Sequence, residues 1–589
     1  MRRMGCLFCL LLLSISAYAA GNPAAPGPPN IILITLDTTR ADRMGFLGSK
    51  RGLTPNLDRL ARDSAVFTRS YTQAPFTPSA HTTIFSGTYP QYHQVLAFPL
   101  PLAKTVPFMP EILGARGYHT GAFVGSMALD PKWGVPGFDR GFDTYDAGFT
   151  PGPEGEGDRY HTVEWRAGEV VKHAMGWLNK RPAGPFFVWV HMFDPHDPYD
   201  PPQPYKTRYA KAPYDGEIAY MDSALGHFFR QLKAAGLYDR TLIVVTADHG
   251  ESLGAHGEDQ HGILLYDETV HVPLVVKLPD GQAAGKRIET TVELADIMPT
   301  VLGVAGIPVP DQVQGQSLLG FLQPGTPTGE EAANAWKGRP AYSEGDYGHL
   351  AFGWSAIQSL RTGKYLYVEA PRRELYDEVN DPSASHNLAS TLPAVADTLS
   401  ARLKEFLQQT TNTAERPKAV LAAEQTQQLT ALGYIARIDN PALAKSPEHG
   451  ADPKDKIEIV NEVNRINDLL QAHKCPEALP LLRKAIAGDP NIALFHFFYG
   501  GCYLASQDYE KAAPELHRAV QLDPGFTHAE MQLGRAWMRL QNFDEARPAF
   551  ENVAKAEPSN IEAHIYLIVL YHKASQVQDE IRECRTVLA

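Results

Sequence analysis

Asn30–Asp37 reads NIILITLD. An unbroken apolar, largely β-branched run of this length suits a strand buried on both faces of a sheet. One acid closes it. Asp37 thus stands at the C-terminal end of a central strand, where open α/β sheets place their ligands. Two other stretches share that pattern. Pro185–His191 (PFFVWVH) runs into Met192–Tyr199 (MFDPHDPY), and Thr241–Thr246 (TLIVVT) opens into Ala247–Glu251 (ADHGE). Gly117–Gly125 and Val272–Lys277 read as further strands. Helical patterns separate them: Thr54–Phe67, with Thr54 as N-cap and Pro55 in the first turn, Thr162–Leu178, the amphipathic Asp215–Leu237, and Glu293–Gly303. Strands alternating with helices predict an α/β sandwich around a central mixed, mostly parallel sheet.

A second stretch bears on chemistry. Ala74–Val95 is APFTPSAHTTIFSGTYPQYHQV, a proline-bounded loop leading into a short helix that ends at Gly87. Thr77 stands at the mouth of that helix, where free N–H groups and the helix dipole favour an anion. A hydroxyl there acts as a nucleophile if a metal or base lowers its pKa, or serves simply as an N-cap.

Three strand ends therefore carry acid and imidazole groups: Asp37, Asp194 with His196, and Asp248 with His249. Such ligands from separate strand ends suit a divalent metal. Asp248 and His249 in a Gly-flanked turn form one ligand pair, Asp37 a third ligand, and Thr77 as alkoxide a fourth. A histidine among carboxylates favours Mn²⁺ or Zn²⁺, with Ca²⁺ possible. His81, His196 and His261 are left to hold substrate oxygens or a second metal.

The 589 residues carry a formal net charge of −13, which argues against a nucleic-acid partner. Residues 1–19 read as a secretory signal: Arg2 and Arg3, an apolar run Leu7–Ile15, and Ala17-Tyr18-Ala19 as the cleavage site. The mature chain should then be periplasmic or extracellular, with no membrane span. Cys475, Cys502 and Cys584 lie beyond it, an odd, widely spaced set that predicts no disulfide framework, and residues 20–474 contain no cysteine.

Residues 20–29 form a Pro/Gly-rich linker, 30–340 the main domain, 341–410 a small α+β subdomain with an antiparallel sheet, and 411–455 a polar, partly helical linker. The remainder, 456–589, is a repeat. Pro490, Pro524 and Pro558 recur every 34 residues, Ala478, Ala512 and Ala546 keep the same period, and Gly500 and Gly534 follow it. That period is the tetratricopeptide signature and leaves room for about three and a half helical hairpins. The array suits a protein partner or self-association. Lacking any converging acid–base set, it should be dispensable for turnover of a small ester.

Taken together, the motifs resemble the sulfatase branch of the alkaline phosphatase superfamily. NIILITLD resembles its first strand and metal aspartate, TPSAHTTIFSGTYP its nucleophile segment, FDPHDPYDPP its substrate-histidine loop, and TADHGESLGAHGEDQHG its second metal strand. ELADIMPTVLGVAGIPVP, SLRTGKYLYVE and ELYDEVNDP resemble its later segments. The resemblance spans residues 29–410 and implies an alkaline-phosphatase-like sandwich followed by an all-α repeat array. It implies that Asp37, Thr77, Asp248 and His249 bind the metal and that Thr77 is the nucleophile. It further implies that His81 replaces the motif's arginine, that His261 stands near a substrate lysine, and that His196 serves substrate or leaving group.

The departures from that family pattern shape the functional expectation. Sulfatases convert a cysteine or serine at the nucleophile position to formylglycine; here it is Thr77. Thr38 replaces a second metal aspartate, and Gly125-Ser126-Met127-Ala128 replaces the segment whose lysine and histidine grip sulfate. A threonine alkoxide forms a covalent ester that water must cleave at the central atom, which a phosphoryl-enzyme permits more readily than a sulfo-enzyme. The expected activity is metal-dependent hydrolysis of phosphate mono- or diesters or phosphonates, on a small or polymeric anionic ester. The alternatives are a sulfate-ester hydrolase without formylglycine, a transferase of phospho-alcohol groups, and an inactive sulfatase fold that presents the repeats for binding.

Overall fold

The computed structural model describes residues 27–98, 100–147, 149, 164–322, 336, 338–414 and 450–588. The expected signal at 1–19 and most of the expected linker at 411–455 lie outside them. No helix among the described residues is long and apolar enough to cross a membrane.

One sheet organises the main domain. Its strands are β1 (Asn30–Leu36), β2 (Ala65–Tyr71), β3 (His119–Val124), β4 (Thr144–Asp146), β5 (Phe186–Met192), β6 (Thr241–Ala247), β7 (His271–Lys277), β8 (Arg287–Ile288) and β9 (Val292–Glu293). They lie in the order β4-β3-β5-β1-β6-β7-β2-β8, with β9 also on β2. All pairings are parallel except those of β7, which runs antiparallel to both β6 and β2. Ile31 to Ile34 and Leu36 are wholly buried, as expected of a strand with both faces covered. The helices α1 (Pro55–Arg62), α2 (Thr77–Ser86), α3 (Ala167–Lys180), α4 (Pro213–Ala234) and α5 (Ile297–Val304) cover it. Among them α4 packs on α1 and α3, and α2 packs on α5.

Several expected boundaries move: the helix expected over Thr162–Leu178 runs from Ala167 to Lys180, and the one expected over Asp215–Leu237 from Pro213 to Ala234. The helix expected over Thr54–Phe67 stops at Arg62, and Ala65 already belongs to β2. Ser64 turns the chain by donating its hydroxyl to Leu60 O, and Phe67 pairs with Leu274 in the sheet. Thr54 does not cap with its side chain; its hydroxyl accepts from Gly45 N and donates to Asp58. The helix expected from Glu293 begins at Ile297, after a capping box between Glu293 and Asp296.

A second, antiparallel sheet follows: β10 (Ala341–Gly345), β11 (Ile357–Arg361), β12 (Tyr365–Glu369) and β13 (Glu374–Asp377), with α6 (Pro393–Thr410) packed on β11 and β12. Residues 450–452 return to its edge. Ser355 N donates to Ala451 O, and Arg372 N to the Asp452 carboxylate.

The array comprises α7 (Ile457–Gln471), α8 (Cys475–Gly488), α9 (Ala493–Ala505), α10 (Tyr509–Leu522), α11 (Thr527–Arg539), α12 (Phe543–Ala556), α13 (Ile561–Lys573) and α14 (Val577–Leu588). These make four hairpins, half a unit more than the period suggests. Ala478, Ala512 and Ala546 are fully buried at equivalent positions. A Cβ on Gly500 would lie 2.6 Å from Leu516, and one on Gly534 2.7 Å from Phe550, so the period marks where neighbouring helices touch. One expectation fails here: Cys475 and Cys502 form a disulfide between α8 and α9, with Cα atoms 5.4 Å apart. Helix packing brings together two cysteines 27 positions apart, which spacing alone could not show. Among the described cysteines Cys584 stays free.

Candidate active site

The site follows from strand register. Leu36 is level with Met192 on one side and Ala247 on the other. One residue later Asp37 and Asp248 emerge side by side, a strand spacing of ~4.8 Å apart. Asp37 N still donates to Met192 O at 2.9 Å, so the acid leaves the sheet from a fixed backbone. After Asp248 the chain must turn at once. Gly250 permits this, since a Cβ there would lie 2.0 Å from Glu268 O.

Asp248 Oδ1 accepts from Thr38 N at 3.2 Å and from His249 N at 2.8 Å. Thr38 adopts φ +47°, an uncommon conformation for a β-branched residue, and its hydroxyl donates to Pro195 O. Where relatives in the resembled family carry a second acid, this chain spends the position on orienting Asp248. Asp37 Oδ2 lies 3.2 Å from His191 Nε2. His249 Nδ1 donates to Gly250 O at 3.0 Å, which leaves Nε2 with its lone pair.

Three atoms then face a common space: Asp37 Oδ1, Asp248 Oδ2 and His249 Nε2. Neither of these carboxylate oxygens has a hydrogen-bond partner, although both are buried. The ligand atoms offered by the three residues lie within 4.8 Å of one another. Two orphaned anionic oxygens and an imidazole lone pair fit a divalent cation. Burial pushes the Asp37 carboxyl up to about 7, with His249 opposing the rise, and it raises Asp248, whose neighbour Asp37 adds to the effect. A cation between them would remove the cost of that paired charge.

Thr77 joins this group. Phe76 is the N-cap of α2 and Thr77 its first helical residue, so the expected capping role does not apply. Its hydroxyl lies 3.2 Å from His249 Nε2. Ser79, two residues on, is rotated by about 200° around the helix and lines a small separate cavity with Phe76, Gly262 and Tyr347.

The other expected site residues divide. His81 is wholly buried beside Asp248. Its Nδ1 donates to Thr77 O at 2.8 Å and its Nε2 accepts from Thr35 Oγ1 at 3.1 Å, while burial pushes its pKa down to about 3. Both ring nitrogens of His81 are thus engaged within the protein, one of them on the backbone of Thr77. Asp194 also turns away: its Oδ2 accepts from Ala167 N at the start of α3. His196 and His261 do converge, with ring centroids 5.4 Å apart, and the His261 ring lies tilted with its centroid 4.4 Å from that of His249. His261 Nδ1 lies 2.9 Å from Glu251, whose other oxygen accepts from Tyr199 OH. Burial disfavours charge on both partners, lifting Glu251 to about 8 and lowering His261 to about 4.

Two residues here escape a reading of the sequence. His191 ends an apolar run and looks like core, yet it occupies the rung beside Thr35 and reaches Asp37. Its place at a strand's C-terminal end, like that of Asp37, is the signal that could have found it. Glu251 follows the ligand turn directly and is the partner of His261.

The chain matches known proteins in the same order. Residues 29–307 match the Sulfatase family model, 256–413 the C-terminal model of N-sulphoglucosamine sulphohydrolase, and 463–525 and 503–564 two tetratricopeptide models. An ulvan-active sulfatase of Formosa agariphila is 27% identical over 410 residues, 62% of this chain and 77% of that protein. The multifunctional alkaline phosphatase superfamily protein PehA of Trinickia caryophylli is 26% identical, over 51% of this chain and 78% of its own. The solved phosphonate monoester hydrolase of Agrobacterium radiobacter shares the fold, with a TM-score of 0.54 at 24% identity over 65% of this chain and 96% of that one.

Proposed function

Residues 29–413 belong to the sulfatase family of the alkaline phosphatase superfamily, a family of ester hydrolases, and from that premise we propose that this chain cleaves phosphate mono- or diesters, or phosphonates, with Thr77 as nucleophile. The observation that carries the proposal is the Thr77 hydroxyl, 3.2 Å from His249, in a chain with no cysteine from residue 20 to 474 to mature into formylglycine.

A divalent cation held by Asp37, Asp248 and His249, Mn²⁺ or Zn²⁺ before Ca²⁺, would lower the pKa of the Thr77 hydroxyl and draw in an anionic ester. The chain's own residues do the rest. The N-terminus of α2 favours the ester's negative charge, and His81 fixes the peptide that carries the nucleophile. Thr77 Oγ attacks phosphorus, the bond to the leaving oxygen breaks, and phosphothreonine forms. His261, with Nδ1 committed to Glu251, presents Nε2 to a nonbridging oxygen, and His196 gives the leaving oxygen its proton or takes one from the attacking water. Water then cleaves the P–O bond and restores Thr77.

A second reading, sulfate-ester hydrolysis from unmodified threonine, draws support from the relatives, most of which are named sulfatases. Assaying nitrophenyl phosphate, phosphodiester, phosphonate and sulfate esters with each metal decides between the two. Acid-quenched protein should carry phosphate on Thr77. Preferred sulfate hydrolysis, or label on Ser79, would overturn the proposal. We also place the mature chain outside the cytoplasm, a reading supported by the Cys475–Cys502 disulfide.

A further inference from the structure

The segment carrying His261 is not held by the main domain alone. Between Ser252 and Gly262 the backbone folds into a tight loop in which Leu253, Gly254, His256 and Gly257 all have positive φ. Leu253 and His256 are strained there, and such a conformation persists only where its surroundings impose it. From inside, the buried Glu258 accepts from Ser252 Oγ, Ile263 N and Leu264 N. From outside, the clamp is α7, the first helix of the repeat array. Asn461, 2% exposed, accepts from Asp259 N at 3.0 Å and donates its amide to Gly257 O at 2.7 Å. Arg465 adds an ion pair to Asp259 at 3.0 Å. Val460 of the same helix packs in one apolar cluster with Ile263, Leu264 and Trp354.

Asn461 thus grips the loop's backbone on both sides of Glu258, two residues before His261. The residue between, Gln260, donates its side-chain amide to Asp197 at 3.0 Å, beside His196, and its carbonyl accepts from Ser252 N. His196 and His261 therefore lie on segments stitched together through a loop that a repeat helix holds.

We propose that α7 is an outer wall of the active site and that Asn461 is a positioning residue for His261. The inference rests on the role given above to His261. It removes the expectation that residues from about 456 onward are dispensable for small esters: the clamp belongs to the repeats, and only the helices beyond it are free of the site.

The test uses the full chain. Asn461→Ala should lower kcat/KM on nitrophenyl phosphate by ~10–100-fold, as displaced positioning groups do. In a His261→Ala background the same substitution should change kcat/KM by less than about twofold, because its effect runs through that histidine. Asn461→Asp keeps the acceptor for Asp259 N, loses the donor to Gly257 O, and should fall between the wild type and Asn461→Ala; it also serves if the alanine variant does not fold. An equal loss in both backgrounds, or no loss in either, overturns the proposal. Amide exchange at 259–262 reads the clamp without substrate. Faster exchange in Asn461→Ala or Asn461→Asp supports it even if no ester is turned over, in which case the proposed function fails alone. Unchanged exchange overturns the clamp whatever the activity.

Discussion

At the ends of β1, β5 and β6, side chains from positions 37, 77, 191, 248 and 249 meet in one buried group, whereas in the array each helix packs mainly on the next one in the chain. The site depends on register: shifting β6 by one residue against β1 would turn Asp248 to the opposite face. The array depends on increments, and each hairpin answers mainly to its neighbours. Damage to the site should therefore abolish chemistry and spare the fold, while damage to the array beyond α7 should cost local stability and spare chemistry.

Thr77→Ala gives the largest test of that contrast. It should reduce kcat/KM roughly 10⁴-fold or more, with an unchanged melting temperature, and Thr77→Ser should retain a measurable fraction. Asp248→Ala should come next: metal analysis of the purified protein should find no bound cation, and turnover should fall to background. Retained metal with full activity would break the assignment of the ligands.

Phe550→Ala tests the other side. Phe550 is fully buried beside Gly534, and removing its ring should cost about 3–5 kcal/mol, confined to the last repeats. Ester turnover should stay within about twofold of wild type, because α7 and its clamp on the loop lie at the far end of the array. Global unfolding in denaturant, or a large loss of turnover, would show that the array does not behave as separable increments.

The smallest effect concerns charge inside the main domain. Burial pushes Glu217 up to about 10, with Asp194 adding to the rise, and it pushes Asp194 itself up to about 7. A raised carboxyl pKa means that the folded state keeps a proton which the unfolded chain releases above pH ~4.3, so stability falls as pH rises from there towards the folded value. Glu217→Gln keeps an oxygen to accept from Asp200 N and removes that slope. Its melting temperature at pH 9 should exceed wild type by a few degrees, roughly 2–4 °C, with little difference at pH 5. An unchanged slope would locate the pH dependence elsewhere.

Much of this was legible in the sequence, for different reasons in the two regions. The strands β1, β5 and β6 announce themselves because continuous apolar runs have few other uses, and the acids that close β1 and β6 mark the end of the sheet where the candidate site lies. The repeats announce themselves because the contacts recur at a fixed spacing. What remained hidden is tertiary. Ala65–Phe67 continues the apolar pattern of the preceding helix, so only its pairing with β7 shows a strand. His81 stands where the resembled motif has an arginine, yet it bonds to Thr35 and Thr77, a choice made by packing. Asn461 reads as an ordinary polar helix residue, and nothing local reveals that Gly257 and Asp259 lie against it.

The reversed direction of β7 has one more effect. A parallel successor to β6 would require the chain to travel back to the opposite edge of the sheet before re-entering it. Because β7 runs antiparallel, the chain leaves β6 and returns to the sheet at the same edge. Residues 248–270 therefore leave and re-enter the sheet at the end where Asp37 stands, and Asp248, His249, Glu251, Glu258 and His261 fall within one short excursion. The excursion starts at β6 and ends at β7, so its acids and imidazoles keep one short path to Asp37 without either strand having to shift.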